Sequence, residues 1–188
     1  FSALAVAELA KAAGFPDGVF NIVTGSAKEI GMELTKNPKI KKISFTGSTE
    51  VGKILMEQSA STVKKLSMEL GGHAPFIVFE DANIDEAVTG ALQSKFRNSG
   101  QTCICTNRLF IHEKVYDSFL EKFTNEVKKI KVGNGLNDGI VSGPLIDKSS
   151  LDKVIDHVQD AVNTGAKIAV GGEVHPLGGN FYQPTVLS

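Results

Sequence analysis

The residues whose side chains are best suited to catalysis or ligand binding lie in one short polar stretch, Phe96 to Arg108. It holds both cysteines of the chain, Cys103 and Cys105, and the only two arginines, Arg97 and Arg108; every other basic residue is a lysine. A guanidinium binds a carboxylate or phosphate at two points, and a nearby cation favours a thiolate over a thiol. The pattern indicates Cys103 as a candidate nucleophile. From the residues alone the alternative stays open that both cysteines are buried and inert.

Three other uses of the Cys103 and Cys105 pair can be weighed. A zinc site needs two more ligands, and the four histidines are scattered without metal-type spacing, so no metal site is expected. A permanent disulfide between residues two apart would be strained. A reversible disulfide stays open, because Cys105 is close enough in sequence to trap an oxidised Cys103. No histidine forms a recognisable protease pattern with Cys103, which disfavours a cysteine hydrolase.

Glu69 is the carboxylate most suited to assist such a thiol. It closes the alternating run from Lys65 to Leu70, which predicts a strand that ends just before Gly71 and Gly72. Functional groups of α/β folds lie at the carboxyl ends of strands. The alternative is that Glu69 is a solvated residue on the polar face of that strand.

Two turns of similar sequence precede predicted helices. Thr24-Gly25-Ser26 and Thr46-Gly47-Ser48 each stand where a predicted strand ends and a helix begins. Free backbone N–H groups and the positive end of the helix attract an anion there, typically a nucleotide phosphate. Neither turn is the G-x-G-x-x-G fingerprint, and any α/β crossover can use Gly-Ser, so an ordinary structural turn remains the alternative.

Around these residues the hydrophobic pattern predicts alternating strands and helices, and hence an α/β fold with a parallel sheet. In the first part the predicted elements are a helix over 2–13, a strand over 19–23, a helix from Ser26 to Asn37, a strand around 43–45, a helix to 56 and a strand over 65–70. In the second part they are a buried strand over 74–79, a helix from Asn83 to Phe96, a strand over 108–112, helices over 115–130 and 151–165, and strands over 167–170 and 182–187. We place the boundary between two domains at Gly72, giving residues 1–72 and 73–188.

Composition excludes several classes of protein. The 188 residues are 41% hydrophobic and 22% charged, with a net charge of −1, so neither nucleic acid nor an anionic membrane is an expected partner. The longest apolar run, 74–79, is far too short to span a membrane. The chain starts at Phe1 without a signal-peptide pattern, and we expect it to be an internal piece of a longer protein. Two cysteines indicate a reducing compartment.

Three segments together resemble the aldehyde dehydrogenase superfamily in their order and spacing: Phe45 to Gly52, Met68 to Gly72, and Gly100 to Cys103. The thirty-four positions from Glu69 to Cys103 match the family's separation of general base and nucleophile, and the resemblance covers essentially the whole chain. The run from Phe96 to Cys105 is similar, more narrowly, to the succinate-semialdehyde dehydrogenase branch.

The resemblance implies part of a Rossmann-like, parallel-sheet NAD(P)-binding domain over 1–72, followed by an incomplete α/β catalytic domain over 73–188. It implies NAD(P)-dependent oxidation of an aldehyde to an acid, most specifically succinate semialdehyde, through a thioester on Cys103 that Glu69 hydrolyses by activating water. Arg97 would hold the far carboxylate of the substrate. The implied contacts to NAD or NADP are Gly25, Gly47, Ser48, Val51 and Leu70.

The resemblance also implies a small aldehyde as substrate, a homodimer or homotetramer, a role in 4-aminobutyrate degradation, and a cytoplasmic location with the mitochondrial matrix as the alternative. The family's oxyanion-binding Asn, a cofactor-binding Lys and a Glu-x-Phe-Gly-Pro segment fall outside these residues, so the isolated chain is expected to be nearly inactive. Two alternatives remain: a dehydrogenase for another semialdehyde or aldehyde, and a non-catalytic remnant or interaction module.

Overall fold

The computed structural model describes all 188 residues, which divide into two compact units, Phe1–Leu70 and Gly71–Ser188. The division falls two residues before the boundary expected at Gly72. Strands and helices alternate along the chain, with parallel strand pairing in both units, so the α/β class predicted from the sequence is confirmed.

Besides one short 3-10 helix (Ala60–Thr62), the first unit contains three α-helices and two strands. In chain order they are α1 (Ser2–Ala12), α2 (Ala27–Lys36), β1 (Lys42–Gly47), α3 (Thr49–Ser59) and β2 (Lys65–Leu70). The two strands are parallel, with Thr46 opposite Glu69 and Gly47 opposite Leu70. Because α3 connects two parallel neighbours, the carboxyl ends of both strands lie at the same edge, next to the start of that helix.

Serine caps start two of these helices, as the sequence predicts. The Ser26 hydroxyl accepts a hydrogen bond from the Glu29 amide at 3.4 Å, and the Ser48 hydroxyl accepts one from the Val51 amide at 3.2 Å. Each cap satisfies an amide that the first helical turn leaves without a partner. The Ser48 cap therefore fixes where β1 ends and α3 begins.

The strand predicted over 19–23 is wrong. These residues form a bend and an irregular segment without strand pairing, and Val19 and Val23 are largely exposed. A β-strand is defined by hydrogen bonds to a neighbour, which a local apolar run does not supply.

The second unit is built on a parallel pair of strands with helices packed against it. Its elements are β3 (Ala74–Val78), α4 (Ile84–Phe96), β4 (Thr106–Ile111), α5 (Glu113–Val127), α6 (Lys148–Asn163), β5 (Ile168–Val170) and β6 (Val186–Leu187). β3 pairs with β4 in parallel, and β5 with β6 in antiparallel fashion.

One apolar cluster forms the core of the second unit, between the β3–β4 pair and helices α4 and α5. Phe119 and Phe123 stack with ring centroids 5.5 Å apart, and Phe96 at the end of α4 lies 6.3 Å from Phe123. The buried members of the cluster are Val78, Val88, Ala91, Phe96, Phe119, Phe123 and Val127. The end of α4, from which the cysteine-bearing segment leaves, is thus fixed in the core.

The prediction that residues 74–79 are buried on both faces is also wrong. Val78 is buried, but Ile77 and Phe79 are more than half exposed. This alternation is that of a strand with one covered face. No helix in the structure has the length and apolar character that a membrane crossing requires.

Candidate active site

Cys103 lies in the segment 97–105 between α4 and β4, which we call the thiol loop. Its backbone turns through three consecutive residues with positive φ: Asn98 at 52°, Ser99 at 56° and Gly100 at 72°. This left-handed conformation costs an L-residue roughly 1–2 kcal/mol, less for Asn, while glycine adopts it freely. A run of this kind persists only where the surroundings hold it.

The two cysteines of the thiol loop have different environments. Both are free thiols, but Cys103 is exposed and Cys105 is buried, at 2% exposure. The Cys105 thiol donates a hydrogen bond to the Gly100 carbonyl oxygen at 3.0 Å. The Cys103 sulfur makes no hydrogen bond in the structure. Inert burial therefore describes Cys105, whereas Cys103 is accessible to a substrate.

Lys95 and Asn107 flank Cys105 on the elements that bound the loop. Lys95 Nζ, in the last turn of α4, donates to Asn107 Oδ1 at 2.6 Å and lies 3.8 Å from Cys105 Sγ. Asn107, in β4, in turn donates through Nδ2 to the Gly72 carbonyl at 3.4 Å. These contacts join the two ends of the thiol loop.

The two arginines also differ in their contacts. Arg108 donates through Nε and Nη2 to the His73 carbonyl at 3.3 and 3.1 Å and lies over the Phe110 ring, 5.6 Å from its centroid. Arg97 is exposed and engages in no hydrogen bond or ion pair. Arg108 is therefore a structural residue, and Arg97 is the guanidinium that is free to bind an anion.

Arg97 borders an open groove of about 910 Å³ within the second unit. Thr102 and Ile104, the neighbours of Cys103 on either side, line the same groove. Lys129 and Glu126 line it too, and they pair with each other at 2.5 Å. The structure thus brings Arg97 and the residues flanking Cys103 to one surface, which accommodates a small molecule with an anionic end.

Four of the five expected cofactor residues lie together in the first unit, at the edge where β1 and β2 end. Gly47 ends β1 opposite Leu70 of β2, Ser48 caps α3, and Val51 lies in the first turn of that helix with its side chain 41% exposed. Gly25 is separate, at a φ of 154° just before the cap of α2.

The start of α3 offers backbone donors for an anion. The Val51 amide donates to the Ser48 hydroxyl, and the Gly52 amide donates to the Ser48 carbonyl. The amides of Thr49 and Glu50 have no acceptor in the chain. Such amides, with the positive end of the helix, favour a phosphate. The exposed Glu50 carboxylate in the same turn partly opposes that attraction. The two free amides are therefore available to one anionic group, such as a phosphate.

Two glycines at this edge have a packing reason to lack a side chain. A Cβ at Gly47 would overlap the ring of Phe45, and a Cβ at Gly52 would lie 2.7 Å from Leu70 Cδ2. Gly52 therefore allows the Leu70 side chain to rest on α3. Gly52 is not among the residues that the sequence indicates as functional, although it lies five positions after Gly47.

Glu69 lies where the sequence predicts, at the penultimate position of β2, with its side chain exposed. It belongs to the first unit, and Cys103, Cys105 and Arg97 belong to the second. No group of three or more histidine, cysteine, aspartate and glutamate side chains is arranged to hold a metal ion.

Comparison with known proteins identifies the family. The aldehyde dehydrogenase family model matches residues 1–188, the whole chain. The chain belongs to the aldehyde dehydrogenase family. Among curated members, it is 59% identical to the NADP(+) succinate-semialdehyde dehydrogenase of Escherichia coli (strain K12) and 57% identical to a glutarate-semialdehyde dehydrogenase of Pseudomonas aeruginosa.

Each of these two alignments covers 100% of this chain and 39% of the relative, so the chain spans about two fifths of the length of these curated dehydrogenases. A crystal structure of succinate-semialdehyde dehydrogenase from Burkholderia pseudomallei superposes with a TM-score of 0.97 at 56% identity, again over 100% of this chain and 39% of the other. The fold of this aldehyde dehydrogenase segment is thus that of its solved relatives.

Proposed function

We propose that the protein to which this chain belongs oxidises an aldehyde to a carboxylic acid with NAD(P)+, and that Cys103 is its nucleophile. One observation carries the proposal: in a chain that matches the aldehyde dehydrogenase family throughout, Cys103 is an exposed, unbonded thiol on a loop with three left-handed residues. A thiol held in this way is accessible to a carbonyl carbon, and a thiolate is an effective nucleophile at neutral pH.

The chain's own groups divide the reaction into two stages. The Cys103 sulfur adds to the aldehyde carbon, and bound NAD(P)+ supplies the acceptor for the hydride that this carbon loses. The acyl group then remains on Cys103 as a thioester. Glu69 takes a proton from a water molecule, whose oxygen attacks the thioester and releases the carboxylic acid and the Cys103 thiolate.

For the cofactor we propose that Gly47 and Ser48 face the pyrophosphate, that Val51 packs near the adenine, and that Leu70 lines the nicotinamide site. Gly25 is a more distant contact on the adenosine side. The two unpartnered amides at the start of α3 support the pyrophosphate contact. The Escherichia coli relative is named for NADP(+), so both cofactors belong in the assay.

For the substrate we propose succinate semialdehyde, with Arg97 paired to its carboxylate. The guanidinium is free of other partners and borders the groove that Thr102 and Ile104 also line. Both named relatives act on semialdehydes, which carry an acid group opposite the aldehyde, and a charge-assisted pair selects for such substrates. Glutarate semialdehyde, one carbon longer, is the second candidate because of the Pseudomonas relative.

The test uses rapid mixing of a full-length enzyme carrying this chain with succinate semialdehyde and either NAD+ or NADP+. We expect Cys103→Ser to abolish NAD(P)H formation. Glu69→Gln should still produce about one NAD(P)H per active site and then stall, because the thioester is no longer hydrolysed. Full turnover by Cys103→Ser would refute the proposal. A steady-state rate of Cys103→Ala equal to that of the parent enzyme would also refute it.

The remaining parts of the proposal concern the parent protein. We propose that it forms a homodimer or homotetramer and that it is located in the cytoplasm. Mitochondria are the alternative location, because the relative from Rattus norvegicus is named as a mitochondrial enzyme. We also propose that the 188 residues alone turn over far more slowly than a full-length enzyme, since loss of one oxyanion donor typically costs two to three orders of magnitude. A fragment rate equal to that of a full-length enzyme would contradict this. A non-catalytic interaction module would give no turnover even in the full-length protein.

A further inference from the structure

Two hydrogen bonds between residues of the thiol loop close its left-handed turn. Within the loop, the Asn98 side chain donates to the Gln101 carbonyl at 3.0 Å, and the Gln101 amide donates to the Asn98 carbonyl at 3.1 Å. These bonds close the turn but do not tie it to the rest of the unit. The position of Cys103, two residues beyond Gln101, therefore depends on the contacts that connect this turn to the rest of the unit.

Ser99 makes the first such tie. Its hydroxyl accepts a hydrogen bond from the Gly143 amide at 2.8 Å and faces the Gly143 carbonyl oxygen at 3.5 Å. Gly143 is 44 positions further along the chain. The hydroxyl therefore bonds a left-handed residue of the loop to a distant backbone.

Gln101 makes the second tie, with both ends of its amide. Its Nε2 donates to the Pro144 carbonyl at 3.2 Å, and its Oε1 accepts from the Ile146 amide at 3.0 Å. A primary amide that both donates to and accepts from one backbone segment fixes the orientation of that segment as well as its distance.

The segment reached by Ser99 and Gln101, residues 143–146, is itself held at both ends. The Ser142 amide donates to the Lys131 carbonyl at 3.1 Å, and the Leu145 amide donates to the Asn180 carbonyl at 2.9 Å. Immediately after it, Asp147 caps α6 by accepting from the Ser150 amide at 2.7 Å. The segment is thus a fixed support.

The other end of the thiol loop is anchored separately. Cys105 is buried and bonded to the Gly100 carbonyl, beside the Lys95–Asn107 hydrogen bond. Cys103 therefore lies between two fixed points: the Ser99 and Gln101 bonds before it and buried Cys105 after it.

We propose that Ser99 and Gln101 are positioning residues, whose hydrogen bonds to the 143–146 segment hold the Cys103 sulfur in the orientation needed to attack the aldehyde. The inference rests on the proposed role of Cys103 as nucleophile. Neither side chain touches substrate in this scheme; each acts on the backbone that carries the thiol. Small displacements of a reacting atom can cost about 100-fold in rate, so the effect belongs in kcat.

The experiment compares full-length enzymes carrying this chain with Gln101→Leu, Ser99→Ala, Ser99→Gly and, as a matched control, Gln159→Leu. Gln159 is exposed on α6 and bonds only to Asn163. We expect kcat to fall about 10- to 100-fold in the first three variants, with KM for NAD(P)+ within about twofold of the parent. The control should keep the parent kcat.

The Ser99→Gly variant distinguishes the loss of the hydroxyl's hydrogen bond from an effect of backbone strain at this position. Glycine accepts the left-handed conformation without cost, so an effect of strain alone would leave its kcat at the parent value. We expect it to be as impaired as Ser99→Ala. Gln101→Glu keeps the acceptor for the Ile146 amide and loses the donor to Pro144, so its kcat should lie between those of the parent and Gln101→Leu.

The outcomes separate this inference from the proposed function. An inactive Cys103→Ser enzyme together with parent kcat in folded Gln101→Leu and Ser99→Gly overturns the positioning role alone. If Gln101→Leu does not fold, Gln101→Glu decides, and a kcat within twofold of the parent overturns the inference. An active Cys103→Ser enzyme removes the nucleophile assignment and this inference with it.

Discussion

The Arg97 guanidinium has no partner within the chain, so its removal should affect binding of an anionic substrate without disturbing the fold. We expect Arg97→Ala in a full-length enzyme to raise KM for succinate semialdehyde roughly tenfold or more, because a hydrogen bond to a charged group contributes about 1.5–3 kcal/mol. Steady-state kinetics measure this. Butanal, which lacks the carboxylate, is the control and should show little change in KM. An unchanged KM for succinate semialdehyde would exclude Arg97 as its carboxylate partner.

Cys103 and Cys105 are both free thiols, and we predict that oxidation joins them in a reversible disulfide. Peroxide would convert the exposed Cys103 thiolate to a sulfenic acid with release of hydroxide, and attack by the Cys105 sulfur would then form the disulfide and release water. The Cys105 sulfur is buried and bonded to Gly100, so this step requires the loop to open first. We expect slow formation of the Cys103–Cys105 disulfide, reversed by dithiothreitol, in peptide mass mapping of the oxidised protein.

Replacing Cys105 with Ala provides the control for that switch. Without a resolving thiol, the same peroxide treatment should leave Cys103 as sulfinic or sulfonic acid, which dithiothreitol does not reverse. Absence of any Cys103–Cys105 linkage in the peroxide-treated parent protein would rule the switch out.

For individual residues, the sequence identifies candidate functional groups but not their contacts. Residue types alone draw attention to both cysteines and both arginines, because these residues are rare in this chain, and the family resemblance then selects Arg97. They do not reveal that Arg108 is a structural residue, since its acceptor is a backbone carbonyl. Nor do they reveal the Ser99 and Gln101 bonds, whose partners lie 44 and 45 positions further along the chain and are brought near only by the fold.

Helix α3 packs against β2 at Gly52, where there is no room for an added methyl group unless Leu70 moves. A Cβ at Gly52 would lie 2.7 Å from Leu70 Cδ2, the mobile end of that side chain, so Gly52→Ala should displace Leu70 without unfolding the unit. Overpacking of this kind costs about 1–3 kcal/mol. We expect KM for NAD(P)+ to rise several-fold in a full-length enzyme while KM for the aldehyde stays constant.

Gly31→Ala in α2 is the matched control for that variant. Its Cβ would make an ordinary contact with Leu55 Cδ2 at 3.7 Å, and alanine in a helix is more stable than glycine by about 0.5–1 kcal/mol. The control should therefore keep its cofactor KM and melt at the same or a higher temperature. Equal cofactor KM in both variants would show that Leu70 does not line the nicotinamide site.

Tyr182, which forms a β-bridge to Val174 near β6, should make the stability of the second unit decrease at alkaline pH. Burial, with a smaller contribution from the Glu173 charge, raises the pKa of Tyr182 above its usual value near 10. An acid whose folded pKa is raised adds stability that is complete below the unfolded pKa and is lost as pH rises through the folded one. We expect unfolding by urea to become easier above about pH 10, and Tyr182→Phe to reduce that change. Identical pH profiles would contradict the prediction.

Element prediction succeeded where local chemistry decides and failed where pairing decides. The helix starts at Ser26, Ser48 and Asn83 are correct because each cap is a bond within one turn. The strand over 19–23 is wrong because an apolar run does not supply a hydrogen-bonded neighbour. The alternating run from Lys65 to Leu70 is correct because its pattern reflects one covered face, and β1 lies beside it.

Across the whole molecule, the apolar interior is distributed unequally between the two units. The second unit has seven buried residues in one cluster, whereas Ile43 is the one buried large apolar residue of the first, and α1 buries none. Local opening needs less free energy where fewer apolar contacts are broken. Composition could not predict this, because apolar residues occur throughout the sequence and only the fold decides which are covered.

The two units should therefore differ in amide hydrogen exchange when the 188-residue chain is studied by mass spectrometry. We expect the slowest exchange in β3, β4 and α5, around the Phe119–Phe123 stack, and the fastest within Ser2–Ala12. Phe123→Ala tests the assignment, because deleting a buried phenyl ring costs about 3–5 kcal/mol and should accelerate exchange throughout β3, β4 and α5. Exchange within Ser2–Ala12 should not change in that variant, since these helical residues are already exposed. Equal protection of α1 and α5 in the parent chain would show that apolar burial does not set the order of opening.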